Sequence, residues 1–516
     1  MGAQKKRRSL LARAAAAARL HPRAALALLF AAVCVLVTSL RVATRARSAA
    51  QAAAAAAAAE ATQSRLLCAS GYPVEAHNVH TADGYVLRAF RIAHGRWGTP
   101  GEAATATPPA RPRPVVVLQH CLLGSSLVYL CEGCAREHGA NARPEAAQRA
   151  DAMDASPGMA VSGADASRTL PGVLADAGFE VWLGNARGNV FSWRHERLAI
   201  SSAAYWAFSF DELARYDTPA LAQHAAQIAG VQRVAWVGHS QGGGQALAAA
   251  AAPWDVWRDE APAAHIGAVV GLAPATYLEG VSSRAAELLA HITTGLQLER
   301  VLDAAGIHQL LPDASALQEL SSALCRSDAA LCDGAMAFFT GHSSLLDSKR
   351  LGLCLQHTPA GTSVKNIIRY ARAVGREGFR LMDLGCDDTT GGADGRGGVP
   401  IPRKAAGAET MNARRCANAA AYGPHWRARP PPYNLSAVSV PVAVFSGGAD
   451  PLVSATDVAR LLAALPPEAA AGHTVLPDFA HLDFVWAASA RGELFGAVAD
   501  QLWELNDGGV GWKKAE

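Results

Sequence analysis

The stretch Val234-Ala-Trp-Val-Gly-His-Ser-Gln-Gly-Gly-Gly244 decides how the rest of the chain is read. Val234 to Val237 is a short apolar run of strand character, and Gly238-His239-Ser240-Gln241-Gly242 fits the pattern G-x-S-x-G. A serine hydroxyl is a weak nucleophile and must be presented to a base from a rigid element. A sharp turn from strand into helix presents it but crowds the backbone. Glycines two before and two after the serine relieve that crowding. The alanine-rich run from Gly243 to Ala252 then reads as a helix with its N-terminus at the site. The backbone N–H of Gln241 is thereby placed to face a developing oxyanion.

Strand and helix signals alternate on both sides of this turn. Gly71 to Ile92 reads as a β-hairpin around Ala82-Asp83-Gly84, and Gly95 to Pro114 as a loop. Pro114-Val-Val-Val-Leu-Gln119 is a buried strand, followed by the loop His120-Cys-Leu-Leu-Gly-Ser-Ser126. Leu170 to Phe179 reads as a short helix ending at glycine, and Glu180 to Leu183 as the next strand. Ser209 and Glu212 stand at capping-box spacing before another helix. Ala268 to Pro274 continues the alternation, which argues for a parallel sheet covered on both faces. From Ala275 to Tyr433 the pattern becomes helical and irregular, with Gly391 to Gly398 its loosest part. Such a block between core strands is the place for a cap. Its apolar runs, Ala335 to Phe339 and Leu345-Leu346, are candidates to line a lipid pocket or to form the cap's own core. The sheet resumes at Val440 to Asp450 and again at Thr474 to Leu476, which leads into Pro477-Asp-Phe-Ala-His481.

A serine nucleophile needs an imidazole to take its proton and a carboxylate to orient that imidazole. Asp450 lies in a loop after a strong apolar strand, and His481 in a later loop before a helix, giving the order Ser240, Asp450, His481. Asp457, Asp478 and Asp483 are rival acids; Asp457 reads as part of a solvated helix face and Asp483 as a helix N-terminal charge. His473 is the rival base and reads as a surface residue. His239 and His120 read as structural histidines.

The 516 residues are 50% hydrophobic and 18% charged, with a net charge of +3. The average conceals an asymmetry: residues 1–50 hold ten Lys and Arg and no acid, leaving 37 basic against 44 acidic residues in the rest. The body is mildly acidic and carries no nucleic-acid footprint. Ala24 to Leu40 is a charge-free apolar run of 17 residues, at the lower limit for crossing a bilayer. Seven basic residues precede it and three follow, which favours a cytoplasmic N-terminus with the body on the far side. A cleaved secretory signal and an organelle transit peptide are the competing readings. Gln51 to Ala61 is a low-complexity, helix-prone alanine tract that reads as a spacer and not as a functional element. Of ten cysteines, Cys325 and Cys332 are close enough in sequence to bridge. Cys131, Cys134 and His138 resemble part of a metal knuckle, but no second ligand pair follows at zinc spacing. Asn434-Leu-Ser436 is a glycosylation sequon.

With these motifs in place, the chain resembles the acid lipases, a group of α/β-hydrolases that includes gastric and lysosomal acid lipases and membrane-anchored steryl ester hydrolases. The resemblance runs from about Gly71 to Trp503. It is carried by Asp83-Gly-Tyr85, Gln119 to Leu123, Asp176 to Asn189, Trp206 to Glu212, Gly238 to Gly242, His357 to Asn366, Gly447 to Asp450 and His481 to Trp486. It implies Ser240 as nucleophile, Asp450 and His481 as its partners, and the backbone N–H groups of Leu122 and Gln241 as the oxyanion hole. Two departures stand out. Cys121 occupies a position where the family has glycine, and residues 139–167 are an insertion.

The expected architecture is an α/β-hydrolase fold with an inserted helical cap. Its parts are a basic segment (1–23), a membrane anchor (24–40), an alanine-rich spacer (41–66), the first part of the core (67–274), the cap (275–433), the last part of the core (434–506) and a tail (507–516). The expected activity is hydrolysis of lipid esters, triacylglycerols or steryl esters, at a membrane or lipid surface. No metal or organic cofactor enters that chemistry. An acyltransferase on the same triad and a non-catalytic binding protein of the same fold are the alternatives.

Overall fold

The computed structural model describes residues 49–68, 70–96, 113–130, 168–251, 256–257, 262–295, 298–310, 315–346, 348–384, 416–426 and 429–507. The basic segment, the apolar run 24–40, the Cys131-Cys134-His138 cluster, the insertion 139–167, the glycine-rich run 391–398 and the tail beyond residue 507 lie outside them.

Eleven strands are described: β1 (Val74–His80), β2 (Tyr85–Ile92), β3 (Val115–Gln119), β4 (Glu180–Leu183), β5 (Arg194–His195), β6 (Val234–His239), β7 (Ile266–Leu272), β8 (Gln309–Leu310), β9 (Thr362–Ser363), β10 (Val442–Gly447) and β11 (Ala470–Leu476). The main sheet runs β1-β2-β4-β3-β6-β7-β10-β11, with β5 paired to β2. β1 and β2 form the expected antiparallel hairpin, Val74 opposite Ile92 through His80 opposite Val86, and Gly84 takes a φ of +96° in its turn. From β4 to β11 the pairing is parallel. β3, β6, β7 and β10 are buried along their whole length, as expected of near-continuous apolar strands covered on both faces. β11 is longer than the Thr474–Leu476 expected and largely exposed, an edge strand without the apolar pattern that marks a central one.

Helices α1 (Ala49–Cys68), α2 (Leu170–Asp176), α3 (Thr218–Ala229) and α4 (Gln241–Ala250) belong to the first half. The Ser209–Glu212 capping box forms, and the turn it opens runs through a π-helical turn, Leu213–Asp217, into α3. That turn presents Asp217 to the fully buried Arg187: Asp217 accepts from Nε at 2.7 Å and from the backbone N–H at 2.9 Å. Asp83, from the hairpin turn, accepts from Nη1 and Nη2 at another edge of the same guanidinium, and the Tyr85 ring lies 3.9 Å from Cζ. One buried arginine thus ties the hairpin, the loop after β4 and the helix.

The spacer reading of Gln51 to Ala61 is corrected. These residues lie in α1, a continuous helix with one face against the core: Ala52, Ala56, Gln63 and Leu67 are buried, and the spacings of four, seven and four residues follow one helical stripe. Glu60 pairs with Arg88 on β2 at 2.8 Å.

Between β7 and β10 lie α5 (Arg284–Gly295), α6 (Leu298–Ala304), α7 (Ser315–Ser327), α8 (Ala329–Thr340), α9 (Ser348–Cys354), α10 (Val364–Ala373) and α11 (Ala417–Tyr422), with β8 and β9 paired antiparallel. Cys325 and Cys332 form a disulfide joining α7 to α8. The chain closes with α12 (Ala455–Ala464), α13 (Asp483–Trp486) and α14 (Gly496–Asp507). Among the described residues no helix is long and apolar enough to cross a membrane.

Candidate active site

Parallel pairing fixes where the site is. β3 and β6 run side by side to Gln119 opposite Gly238, and β6 and β7 to His239 opposite Leu272. The loops leaving the C-terminal ends of β3, β6, β10 and β11 therefore gather at one edge of the sheet.

Ser240 sits at the tip of the turn with φ +53° and ψ −115°, a conformation sparsely populated for a residue with a side chain. The structure over-determines it. Its N–H donates to Leu272 O, and its carbonyl accepts from Gly243, Gly244 and Ala275. The two flanking glycines are required by space: a Cβ on Gly238 would stand 2.2 Å from backbone atoms of Gly242 and Gly243, and one on Gly242 2.2 Å from Gln119 O.

The structure brings the three sequence-selected side chains together. Ser240 Oγ lies 2.9 Å from His481 Nε2, and His481 Nδ1 lies 2.8 Å from Asp450 Oδ2. A carboxylate only accepts, so the imidazole proton belongs on Nδ1 and Nε2 is left to accept the serine proton. Asp450 is held in turn by the N–H groups of Leu452 (2.8 Å) and Val453 (3.0 Å) on its Oδ1. All three side chains are buried. His239 supports the base from behind: its Nε2 lies 2.8 Å from the His481 carbonyl and donates to it. Burial first, and then the neighbouring His481, holds the His239 imidazole well below its ordinary pKa, so it stays neutral.

The rivals fall elsewhere. Asp457 is buried, not on a solvated face; it accepts from Glu279 N, Gly280 N and Ser454 Oγ and so ties the start of α12 to the chain leaving β7. Glu279 and Gly280 lie 178 and 177 residues upstream, which is why the local pattern misreads it. Asp483 opens its own short helix and accepts from Ser343 Oγ at 2.7 Å and Ala480 N at 2.6 Å. Asp478 is exposed, and His473, within β11, bonds Ser446.

The loop after β3 lies directly on the elbow. The carbonyl of Gln119 accepts from Tyr129 Oη at 2.6 Å, that of Leu123 from Ala360 N at 2.7 Å, and that of Cys121 from Gly124 N at 3.0 Å. Positive φ falls on Leu123 (+62°) and not on Cys121, so the cysteine is accommodated without backbone strain. Its side chain is buried. Gln241, the residue after Ser240, is gripped by the excursion between β7 and β10: Asn366 of α10 donates to its Oε1 at 2.9 Å. Asn366 ends the stretch His357 to Asn366, but its contact spans 125 residues and no local signal marks it. Of the apolar runs between β7 and β10, Met336, Leu345 and Leu346 pack against the core, while Phe338 and Phe339 are exposed. Asn434 is exposed at the start of a 3-10 turn.

Comparison with known proteins agrees with the fold. Residues 64–133 match the partial alpha/beta-hydrolase lipase region, and residues 156–287 match the alpha/beta hydrolase fold. Human lysosomal acid lipase/cholesteryl ester hydrolase is 28% identical over 442 residues, covering 85% of this chain and 90% of that protein. Human gastric triacylglycerol lipase is 29% identical over 447 residues (86% and 90%), and human lipase member K 29% identical over 437 (84% and 88%). The parallel sheet and the elbow at its C-terminal edge make this chain an α/β-hydrolase. Within that class it is similar over most of its length to lysosomal and gastric acid lipases.

Proposed function

We propose that this protein hydrolyses carboxylic esters of lipids, with Ser240 as nucleophile, His481 as general base and Asp450 as the acid that orients it. The observation that carries the reading is the continuous hydrogen-bonded chain from Ser240 Oγ through the imidazole to Asp450, at 2.9 and 2.8 Å, on a strained elbow. Ser240 attacks the ester carbonyl as its proton passes to His481 Nε2. The imidazolium then protonates the departing alcohol, and water repeats the sequence on the acyl-enzyme. The N–H groups of Leu122 and Gln241 receive the negative charge on the carbonyl oxygen. The names of the relatives, cholesteryl ester hydrolase and triacylglycerol lipase, support sterol or glycerol as the alcohol. The excursion between β7 and β10 acts as the cap over the acyl site.

The anchor belongs to the same reading. A charge-free run of 17 residues with the heavier basic flank before it supports a single-pass segment at 24–40 and a catalytic body on the extracytoplasmic side, where Asn434 is open to glycosylation. The lysosomal relative agrees with that side of the membrane. The test is hydrolysis of cholesteryl oleate, triolein and a short-chain nitrophenyl ester by purified wild type and Ser240→Ala, with and without an acceptor alcohol. Free fatty acid release that survives in Ser240→Ala above roughly a tenth of wild type rules out this mechanism. Acyl transfer to the alcohol in preference to water makes the protein an acyltransferase instead.

A further inference from the structure

The carbonyl of Cys121 takes a second hydrogen bond, from His120 Nδ1 at 2.7 Å. The assignment of that proton is fixed by the opposite side of the ring. Ala186 N–H points at His120 Nε2 at 3.0 Å, so Nε2 must accept and Nδ1 must carry the hydrogen. Asn189 Nδ2 also faces Nε2, at 3.3 Å. His120 is buried, and burial lowers its pKa to about 4, which keeps this neutral tautomer. A trans peptide sets its C=O and the following N–H in opposite directions. Fixing the Cys121 carbonyl with two donors therefore fixes the direction of the Leu122 N–H.

The chain of bonds continues away from the site. Asn189 Nδ2 donates to Asn185 Oδ1 at 3.0 Å, and Asn185 Oδ1 also accepts from Ser126 N at 2.9 Å. Asn185 Nδ2 donates to Ser126 Oγ at 3.0 Å, and Ser126 Oγ donates to Gln63 Oε1 at 2.6 Å. Every member is buried, and Gln63 is on α1. A buried amide on an alanine-rich helix is costly unless it is bonded; among the described residues the Gln63 Oε1 partner is Ser126, which ends the loop after β3, and Nε2 has none.

We propose that this buried chain, Gln63–Ser126–Asn185–Asn189–His120, aims the oxyanion donor at Leu122, with His120 as the positioning residue at the near end and the N-terminal helix as a structural part of the active site at the far end. The proposal rests on the reading of Leu122 as an oxyanion donor. Neither His120 nor Gln63 touches the reacting atoms; each acts through the loop.

The experiment compares wild type, His120→Leu, His120→Asn and Gln63→Leu as full-length proteins, by kcat and KM on one ester, fluorophosphonate labelling of Ser240 and thermal unfolding. Loss of one oxyanion donor costs about 10²–10³ in kcat, and a mis-aimed donor less. His120→Leu lowers kcat at least tenfold with KM within twofold. His120→Asn, whose amide can still donate to the Cys121 carbonyl, recovers most of that loss. Gln63→Leu lowers kcat about threefold with KM unchanged. A folded His120→Leu with kcat within twofold of wild type overturns the proposal, as does a loss that Asn fails to restore. If His120→Leu is too unstable to purify, Gln63→Leu carries the test, and an unchanged kcat there overturns it. The esterase reading fails separately: in that case wild type itself gives no Ser240 adduct.

Discussion

Gly242→Ala probes the seam between the elbow and the loop after β3. An added Cβ would stand 2.2 Å from Gln119 O, 2.7 Å from Gln119 C and 2.8 Å from His120 O. An ordinary carbon–oxygen contact is about 3.3 Å or more, so α4 and the loop must part by about 1 Å. All three obstructing atoms are backbone. The Gln119 carbonyl is held by Tyr129, and Gln119 is in register with Gly238 in the sheet, so neither side yields freely. Overpacking of this kind costs about 1–3 kcal/mol, offset by up to about 1 kcal/mol because alanine favours the helix. The catalytic effect is larger than the stability effect. A misplacement of about 1 Å between groups that must converge costs about a hundredfold, equivalent to about 2.7 kcal/mol of transition-state stabilisation. The assay is kcat and KM on a nitrophenyl ester beside urea unfolding. Gly334→Ala in α8 is the control: nothing lies within 4 Å of its added Cβ, and it keeps wild-type kcat with equal or slightly higher stability. A Gly242→Ala enzyme with kcat within threefold of wild type refutes the argument that this glycine sets the spacing of the site.

Asp450→Asn leaves the imidazole in place but favours the wrong tautomer, and steady-state kinetics should show a loss of up to about ten-thousandfold. Asp457→Asn, by contrast, disturbs a buried cap with three donors; denaturant unfolding should show about 1–3 kcal/mol lost while kcat is retained. Asp211 is buried, accepts from Met382 N and Tyr433 Oη, and has a pKa raised to about 7, by burial first and by Glu212 second. A carboxyl favoured as neutral in the fold contributes stability that is complete below its unfolded pKa near 4 and is lost as pH rises through about 7. Wild type should therefore lose stability from pH 5 to pH 8 relative to Asp211→Asn, and parallel unfolding curves across that range would refute the sign. Removal of residues 1–48 should leave a soluble, active protein, whereas a chain beginning at Gln63 loses buried Ala52 and Ala56 and the Glu60–Arg88 pair, and should unfold at lower denaturant.

What the sequence conveyed follows from which signals are local. The elbow, the apolar strands β3, β6, β7 and β10, the hairpin turn and the capping box are all written in contiguous residues. The order Ser240, Asp450, His481 was legible because each lies just past a strand or just before a helix. Three features were not. Alanine gives no polar–apolar contrast, so the buried stripe of α1 could not be separated from a spacer. Asp457 has the neighbours of a surface helix residue, and only Glu279 and Gly280 from the far side of the chain bury it. His120 reads as a structural histidine, but its bond to Ala186 and its link through Asn185 to Gln63 need the β3–β4 pairing to exist first. Polar residues that work through long-range buried contacts leave no periodicity to read.

Mapping of a covalent adduct tests the central claim most directly. Purified protein is incubated with a fluorophosphonate, digested and sequenced by mass spectrometry. The account predicts one adduct, on Ser240, formed at a rate that falls with loss of His481 or Asp450 and absent from Ser240→Ala. An adduct on another residue in the wild type, or full labelling and hydrolysis by Ser240→Ala, contradicts it.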